Sequence, residues 1–249
     1  MRVAITGGTG MLGRHVTAEF RERGHDVRVL TRRSDKYRVD LRTGEGLDAA
    51  LAGCDVVVDA SNGRTPKQAR ATLVDGGRLL LAAEARAGVR HHICVSIVGC
   101  DRVQFGYYRA KVEQERVVEA ASVPWTIVRA TQFHELITAG FAAMARIRVL
   151  AVPSACLQTV AADDVARGLA DVTAGEPLGA RIDVAGPELV DARTLARTWR
   201  SITGARAALV PVRVPGAVGR GMRDGSLTSP AADVKATTTY ATWLAAQPR

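Results

Sequence analysis

An α/β fold is expected of this 249-residue chain: a doubly wound parallel sheet with a small C-terminal lobe. Three observations predict it. Short apolar runs alternate with helical patterns from the first residues, as in successive βαβ units. The run Val3-Ala4-Ile5 passes through Thr6-Gly7-Gly8-Thr9-Gly10-Met11-Leu12-Gly13 straight into an amphipathic stretch. From about residue 131 the alternation loosens, and a tail rich in proline and glycine follows residue 210.

The elements follow in order. Residues 3–6 form the first strand and 11–23 a helix, which Gly24 stops as a C′ glycine. Residues 27–31 are the second strand, and 37–41 have the pattern of a short third. Leu47, Ala50 and Leu51 share one face of a short helix over 46–52. The uninterrupted apolar run 56–60 reads as a buried strand. A long helix is expected over 66–87 despite Gly76 and Gly77, with Gly88 as its stop. A strand over 92–97, a helix over 106–121 and a strand over 125–129, introduced by Pro124, complete the regular part. Beyond it, 133–145 is helical. Asp163 or Asp164 caps a helix reaching 172. Residues 180–185 form a late strand and 195–203 a helix. The tail is loop-rich with short helices, and a last helix over 240–246 turns Trp243 and Leu244 inward.

Composition narrows the function classes. The net charge of +9 invites a nucleic-acid partner, but the arginines are scattered and aromatics make up only 4% of the chain, too few for a stacking platform. Attraction of a small anionic ligand is the simpler use of the positive field. No apolar run is long enough to span a bilayer and no export signal precedes the first strand, so a cytoplasmic protein without a membrane or nucleic-acid partner is expected. It would act on a small molecule as a monomer or homodimer. Cys54, Cys94, Cys100 and Cys156 lack metal-ligand spacing and read as buried reduced thiols; no metal is expected.

The glycine-rich turn carries the main functional signal. A strand that turns through glycines into a helix places bare N–H groups at the positive end of the helix dipole, a site suited to a pyrophosphate. Gly7 permits the tight turn, Gly10 the approach of a diphosphate to the main chain, and Gly13 close packing of helix on sheet. Thr6, Met11 and Leu12 flank them. An acid at the tip of the second strand would bond a ribose 2′-hydroxyl and repel a phosphate. Here the tip reads Leu30-Thr31-Arg32-Arg33-Ser34, without a carboxylate. Guanidinium forks match phosphate oxygens, so NADP(H) (NADPH in its reduced form) is the expected cofactor. Arg32 would be the main 2′-phosphate contact, with Arg33 and Thr31 in support; the alternative for Arg33 is a solvated surface position. Asp40 and Leu41 would flank the adenine, unless Asp40 is a solvated loop acid. Ala60 and Ser61 would lie over the diphosphate and nicotinamide ribose. Residues 1–130 then form a dinucleotide-binding core and 131–249 a substrate-binding part of the same domain, laid over the carboxyl edge of the sheet.

A catalytic group is expected on the same edge. The strand over 92–97 carries Ser96, and Tyr107-Tyr108-Arg109-Ala110-Lys111 follows. Tyr107 and Lys111 are four apart and share a helix face. An ammonium near a phenol favours the phenolate, which would suit Tyr107 to general acid/base work. Ser96 would bond the same substrate oxygen, and Lys111 would hold the nicotinamide ribose. The alternative is an ordinary surface pair on an exposed helix. Tyr108, Gln132, Phe133 and His134 are candidate pocket residues; His134 is either a second proton relay or a capping or packing histidine.

Together these residues resemble the short-chain dehydrogenase/reductase superfamily in its atypical branch, nearest the NmrA-like and nucleoside-diphosphate-sugar-epimerase-like group. The likeness also rests on Ser96-Ile97-Val98-Gly99, on Pro124-Trp125-Thr126-Ile127-Val128-Arg129-Ala130-Thr131-Gln132-Phe133, on Ala161-Ala162-Asp163-Asp164-Val165-Ala166 and on Ala185-Gly186-Pro187-Glu188. It implies a Rossmann-like seven-stranded parallel sheet, NADP(H) binding and hydride transfer to or from a carbonyl or alcohol carbon. Tyr107 would be the proton donor, Ser96 the orienter, and Lys111 the ribose anchor and pKa modifier. The short step from Ser96 to Tyr107 and the slim C-terminal part argue against sugar epimerisation. Two functions are therefore expected in competition: an oxidoreductase of a small carbonyl or quinone-like compound, and a non-catalytic redox sensor of NmrA type that binds NADP(H).

Overall fold

The computed structural model describes residues 1–249 apart from Asp35, Arg64, Gln104, Phe105 and Arg249. In chain order the elements are β1 (Arg2–Thr6), α1 (Met11–Glu22), β2 (Asp26–Leu30), α2 (Leu47–Leu51), β3 (Val56–Asp59), α3 (Pro66–Ala69), a π-helical turn (Arg70–Asp75), α4 (Gly76–Ala87), β4 (His91–Ile97), α5 (Gly106–Glu119), β5 (Trp125–Ala130) and α6 (His134–Ala145). They continue as β6 (Val149–Pro153), β7 (Cys156–Leu157), α7 (Ala162–Ala174), β8 (Arg181–Ala185), β9 (Val190–Asp191), α8 (Ala192–Thr203), β10 (Ala208–Val212), α9 (Gly216–Arg223), β11 (Val234–Lys235) and α10 (Tyr240–Ala245). A seven-stranded parallel sheet runs in the order β11-β8-β5-β4-β3-β1-β2, flanked by helices: the expected Rossmann-like α/β fold. The chain leaves β1 first for β2 on one side and later for β3 on the other, so a switch point lies beside β1, where such sheets hold ligands.

The chain divides into two compact units. The first comprises Met1–Ser96, Gly106–Arg129 and Ala166–Ile182. Its core is made by the apolar strands Val3-Ala4-Ile5 and Val56-Val57-Val58, all nearly or wholly buried. Leu12, Val16 and Phe20 recur every four residues on α1 and form its buried stripe. Helices α2 and α4 contribute Leu47, Leu51, Leu80 and Ala83 to a neighbouring cluster. Cys54 and Cys94 are buried in this unit and Cys100 in the second, whereas Cys156, expected to be buried, is partly exposed.

The second unit comprises Ile97–Phe105, Ala130–Val165 and Asp183–Arg249. It holds the parallel pair β6–β10 and the antiparallel pair β7–β9. Leu150, Leu195, Trp199, Phe141, Tyr240 and Leu244 make its core, with Trp243 half-buried against them. The Asp191 side chain caps α8 by accepting from the Arg193 amide at 2.8 Å.

Two expected elements differ. The segment 37–41 is not a strand; among the described residues its backbone pairs beside the end of β2 through a bridge between Thr31 and Arg38. At Asp40 it turns away, because the Asp40 carbonyl accepts from the amides of Thr43 and Gly44. The helix expected over 66–87 is interrupted by the π-helical turn, which ends at Gly76. A Cβ on Gly76 would stand 2.8 Å from the Leu41 carbonyl, so glycine permits that close approach. The short strands β6, β7, β9, β10 and β11 were not legible in the local pattern. β10 includes Pro211, which cannot donate to a ladder.

Candidate functional site

The loop between β1 and α1 is built for an anion. Gly7 has φ of +66°, and a Cβ on it would meet the Ala60 carbonyl oxygen at 2.4 Å. A Cβ on Gly13 would meet the Gly7 carbonyl oxygen at 2.1 Å. Only glycine fits either place. Gly10 is the N-cap of α1; no side chain caps the helix there and its first turn holds no acidic residue. The positive end of the dipole is thus left without a compensating group from its own helix.

The loop opens on a cleft of about 460 Å³. Seven of the residues expected at a dinucleotide line it: Gly7, Thr31, Arg32, Arg33, Asp40, Leu41 and Ser61. Thr6, Gly10, Met11, Leu12, Gly13 and Ala60 lie in the adjoining strand ends, loop and first turn. The cleft also takes in Thr9, Arg42, Asn62, Gly63, Gln68 and Thr72, which the sequence reading did not single out. Arg42 had a signal of its own, an arginine two places after an acid. Gln68 and Thr72 had none, because their place depends on how α3 and the π-helical turn pack.

Ser61 is only 6% exposed, lines the cleft, and its hydroxyl oxygen has no partner among the described residues. A buried hydroxyl without a hydrogen bond costs free energy that a bound polar ligand would recover. The glycine cradle, the uncapped helix end, the arginine pair and the Ser61 hydroxyl all fit a nucleotide phosphate ligand.

Ser61 is fixed from behind. Its amide donates to Asp59 Oδ1 at 3.0 Å, and Thr6 Oγ1 donates to the same oxygen. Gln114 Nε2 donates to Asp59 Oδ2 at 2.8 Å. Burial opposes ionisation of Asp59, but His92 and the bonds from Ser61 and Thr6 outweigh it and hold the carboxyl below its usual range. Lys111 is buried in the same layer: its ammonium donates to the Val95 carbonyl at 2.8 Å and to Gln114 Oε1 at 2.9 Å. Ser96, also buried, donates to Glu115 Oε1. Glu115 in turn accepts from Arg129 and forms an ion pair with Arg181. Glu84 and His92 form a further buried pair at 2.9 Å. Burial works against the His92 cation, yet the adjacent Glu84 carboxylate raises its pKa well above the ordinary value.

Tyr107 is placed differently. It sits in the first turn of α5, half-buried, with its ring packed against Ala69, Leu73 and Ala110. Its hydroxyl donates to Asn62 Oδ1 at 2.8 Å, and Asn62 lines the cleft. Of the three expected catalytic side chains, Tyr107 thus reaches a cleft residue, while Ser96 and Lys111 are held between β4 and α5. The Tyr108 ring tilts against that of Tyr107 at 6.2 Å.

In the second unit, Gln132 Nε2 donates to the Leu227 carbonyl at 2.7 Å, and its Oε1 accepts from the Gln158 amide. Phe133 precedes α6 and forms a bridge with Val160. His134 is fully buried, packs edge-on to Tyr240, and has Nε2 3.2 Å from the Thr238 carbonyl. Burial lowers its pKa below the ordinary histidine value.

Comparison with known proteins bears on the family and the fold. The sequence profile of NAD(P)H-binding proteins matches residues 7–175. The chain is 30% identical over 209 residues to a (4-alkanoyl-5-oxo-2,5-dihydrofuran-3-yl)methyl phosphate reductase of Streptomyces griseus, covering 77% of this chain and 70% of that one. Among solved structures, an NADPH-dependent quinone oxidoreductase from Escherichia coli in complex with NADPH is similar with a TM-score of 0.82 at 19% identity, over 97% of this chain and 98% of the other. A nucleoside-diphosphate-sugar epimerase from Staphylococcus aureus is similar with a TM-score of 0.79 at 18% identity, over 98% and 100%. Among the described residues no helix is long and apolar enough to cross a membrane.

Proposed function

Because this chain belongs to the NAD(P)H-binding family, we propose that it is an NADP(H)-dependent oxidoreductase acting on a small carbonyl or quinone-like compound. The observation that carries the reading is the cleft, in which a glycine cradle and the exposed pair Arg32 and Arg33 stand together with no acid at the tip of β2. The amides at the start of α1 would hold the diphosphate and Arg32 the 2′-phosphate, with Arg33 and Thr31 beside it. Ser61 would give its unpartnered hydroxyl to the ribose or diphosphate. Bound NADPH supplies a hydride to a carbonyl carbon. Tyr107 would turn its phenolic proton from Asn62 Oδ1, which accepts it in the free protein, to the carbonyl oxygen and be left as the phenolate. Lys111 and Ser96 position β4 and α5 from within the buried layer.

Titration with NADPH and NADH tests the cofactor. Arg32→Ala should weaken NADPH binding about tenfold and NADH binding little, the size of one charge-assisted phosphate contact. Equal losses for both would refute the assignment. A second reading, a sensor that binds NADP(H) without turnover, draws on the commitment of Lys111 and Ser96 to buried partners. Tyr107→Phe separates the two: the enzyme should lose roughly 100-fold or more in kcat with NADPH affinity kept. Unchanged turnover of any active substrate would rule out proton transfer by Tyr107.

A further inference from the structure

Asp40 and Arg42 both line the cleft next to Arg32 and Arg33, and they are joined to each other. Asp40 Oδ1 accepts from the Arg42 amide at 3.0 Å and from Arg42 Nε at 3.1 Å. Asp40 Oδ2 accepts from Arg42 Nη2 at 2.7 Å. Both oxygens are engaged by one guanidinium fork. The backbone around the pair is fixed: the Asp40 carbonyl accepts from the Gly44 amide at 2.8 Å, and the Asp40 amide donates to the Glu45 carbonyl at 3.1 Å. Asp40 thus stays in the cleft wall whatever its partner does. Its hydrogen bonds with Arg42, helped by the charge of Arg32, hold the carboxyl down at about 2, so it is an anion at neutral pH.

A carboxylate near enough to feel the charge of Arg32 would ordinarily repel a 2′-phosphate held by that arginine. We propose that Arg42 is a specificity-determining residue: by clamping both oxygens of Asp40 it cancels the one acid among the described residues of the cleft wall and so turns the site toward the phosphorylated dinucleotide. The inference rests on the NADP(H) reading above and adds the residue that makes Asp40 compatible with it. Arg42 acts through Asp40, so its removal should matter less once Asp40 is itself neutral.

The test is a set of calorimetric titrations of the full chain with NADPH and with NADH. The proteins are wild type, Arg42→Ala, Asp40→Asn and the double variant. The ratio of the two affinities within each protein cancels any loss of folded material, and Asp40→Asn preserves the side-chain shape. Wild type should favour NADPH. Arg42→Ala should cut the NADPH/NADH affinity ratio about tenfold, as expected of an uncompensated like charge at a phosphate. The double variant should regain most of that ratio. If wild type prefers NADPH but Arg42→Ala leaves the ratio within about twofold, or the double variant stays as low as Arg42→Ala, the clamp is refuted and the parent reading stands. If wild type shows no preference for NADPH, both fall together.

Discussion

The rim of the cleft and the polar layer on β3, β4, α4 and α5 are both rich in charge, but they hold it in opposite ways. At the rim, the guanidinium groups of Arg32 and Arg33 make no hydrogen bond to another described residue, although both line the cleft. In the polar layer each of three buried carboxylates is met: Asp59 by Thr6, Ser61 and Gln114, Glu84 by His92, Glu115 by Ser96, Arg129 and Arg181. Paired, buried charge positions the backbone; charge left over at a surface is what a ligand can use. The same contrast divides α5. Tyr107 and Lys111 share one helical face, but Tyr107 reaches Asn62 at the cleft while Lys111 is spent on Val95 and Gln114.

The contrast can be broken from the buried side first. Glu84→Ala leaves His92 without its carboxylate, and loss of one partner of a buried pair costs about 3 kcal/mol or more. Urea denaturation should show that loss, with NADPH affinity of the folded protein unchanged; weak destabilisation would mean the layer is not rigidly paired. Gly7→Ala attacks the rim. Its Cβ would clash with the Ala60 carbonyl at a positive φ, a strain of about 1–3 kcal/mol. Nucleotide binding should fall together with stability, and retention of full affinity would place the phosphate elsewhere.

A pH series sharpens the picture. Burial, followed by the neighbouring His92 charge, lowers the His91 pKa to about 4, and its ring lies 2.9 Å from Thr126 Oγ1. Folded His91 stays neutral where the unfolded residue binds a proton. Its contribution is therefore complete above the unfolded pKa of about 6.5 and declines as pH falls from there toward 4. Wild type should lose more stability between these limits than His91→Gln, and parallel curves would contradict the assignment. The smallest effect is expected for Arg33→Ala. An exposed supporting cation should contribute less than about 1 kcal/mol to NADPH binding and nothing measurable to the melting temperature. A loss as large as that of Arg32→Ala would exchange their roles.

Much of the sheet was legible because its signals are local. Strands β1 and β3 are apolar runs, β2 and β8 alternate apolar and charged residues, and Gly13 answers a steric need set six residues earlier by the Gly7 carbonyl. The segment 37–41 misled because its alternation is strand-like, while the turn at Asp40 limits its pairing with β2 to one bridge. His134 kept both of its readings open in the sequence, because its surroundings come from Tyr240 and Trp243, about a hundred residues later.

The chain's own order of residues determined the alternating α/β pattern, the glycine turn and the arginines that follow β2, since each depends on backbone preferences and neighbours close in sequence. Only the folded molecule decided that Ser96 and Lys111 face buried partners, that Asn62 receives the Tyr107 hydroxyl, and that Gln68 and Thr72 join the cleft. Those outcomes depend on burial and on pairs separated by many residues. A charged or hydroxyl side chain reads the same in sequence whether the fold leaves it open to a ligand or closes it against a carboxylate.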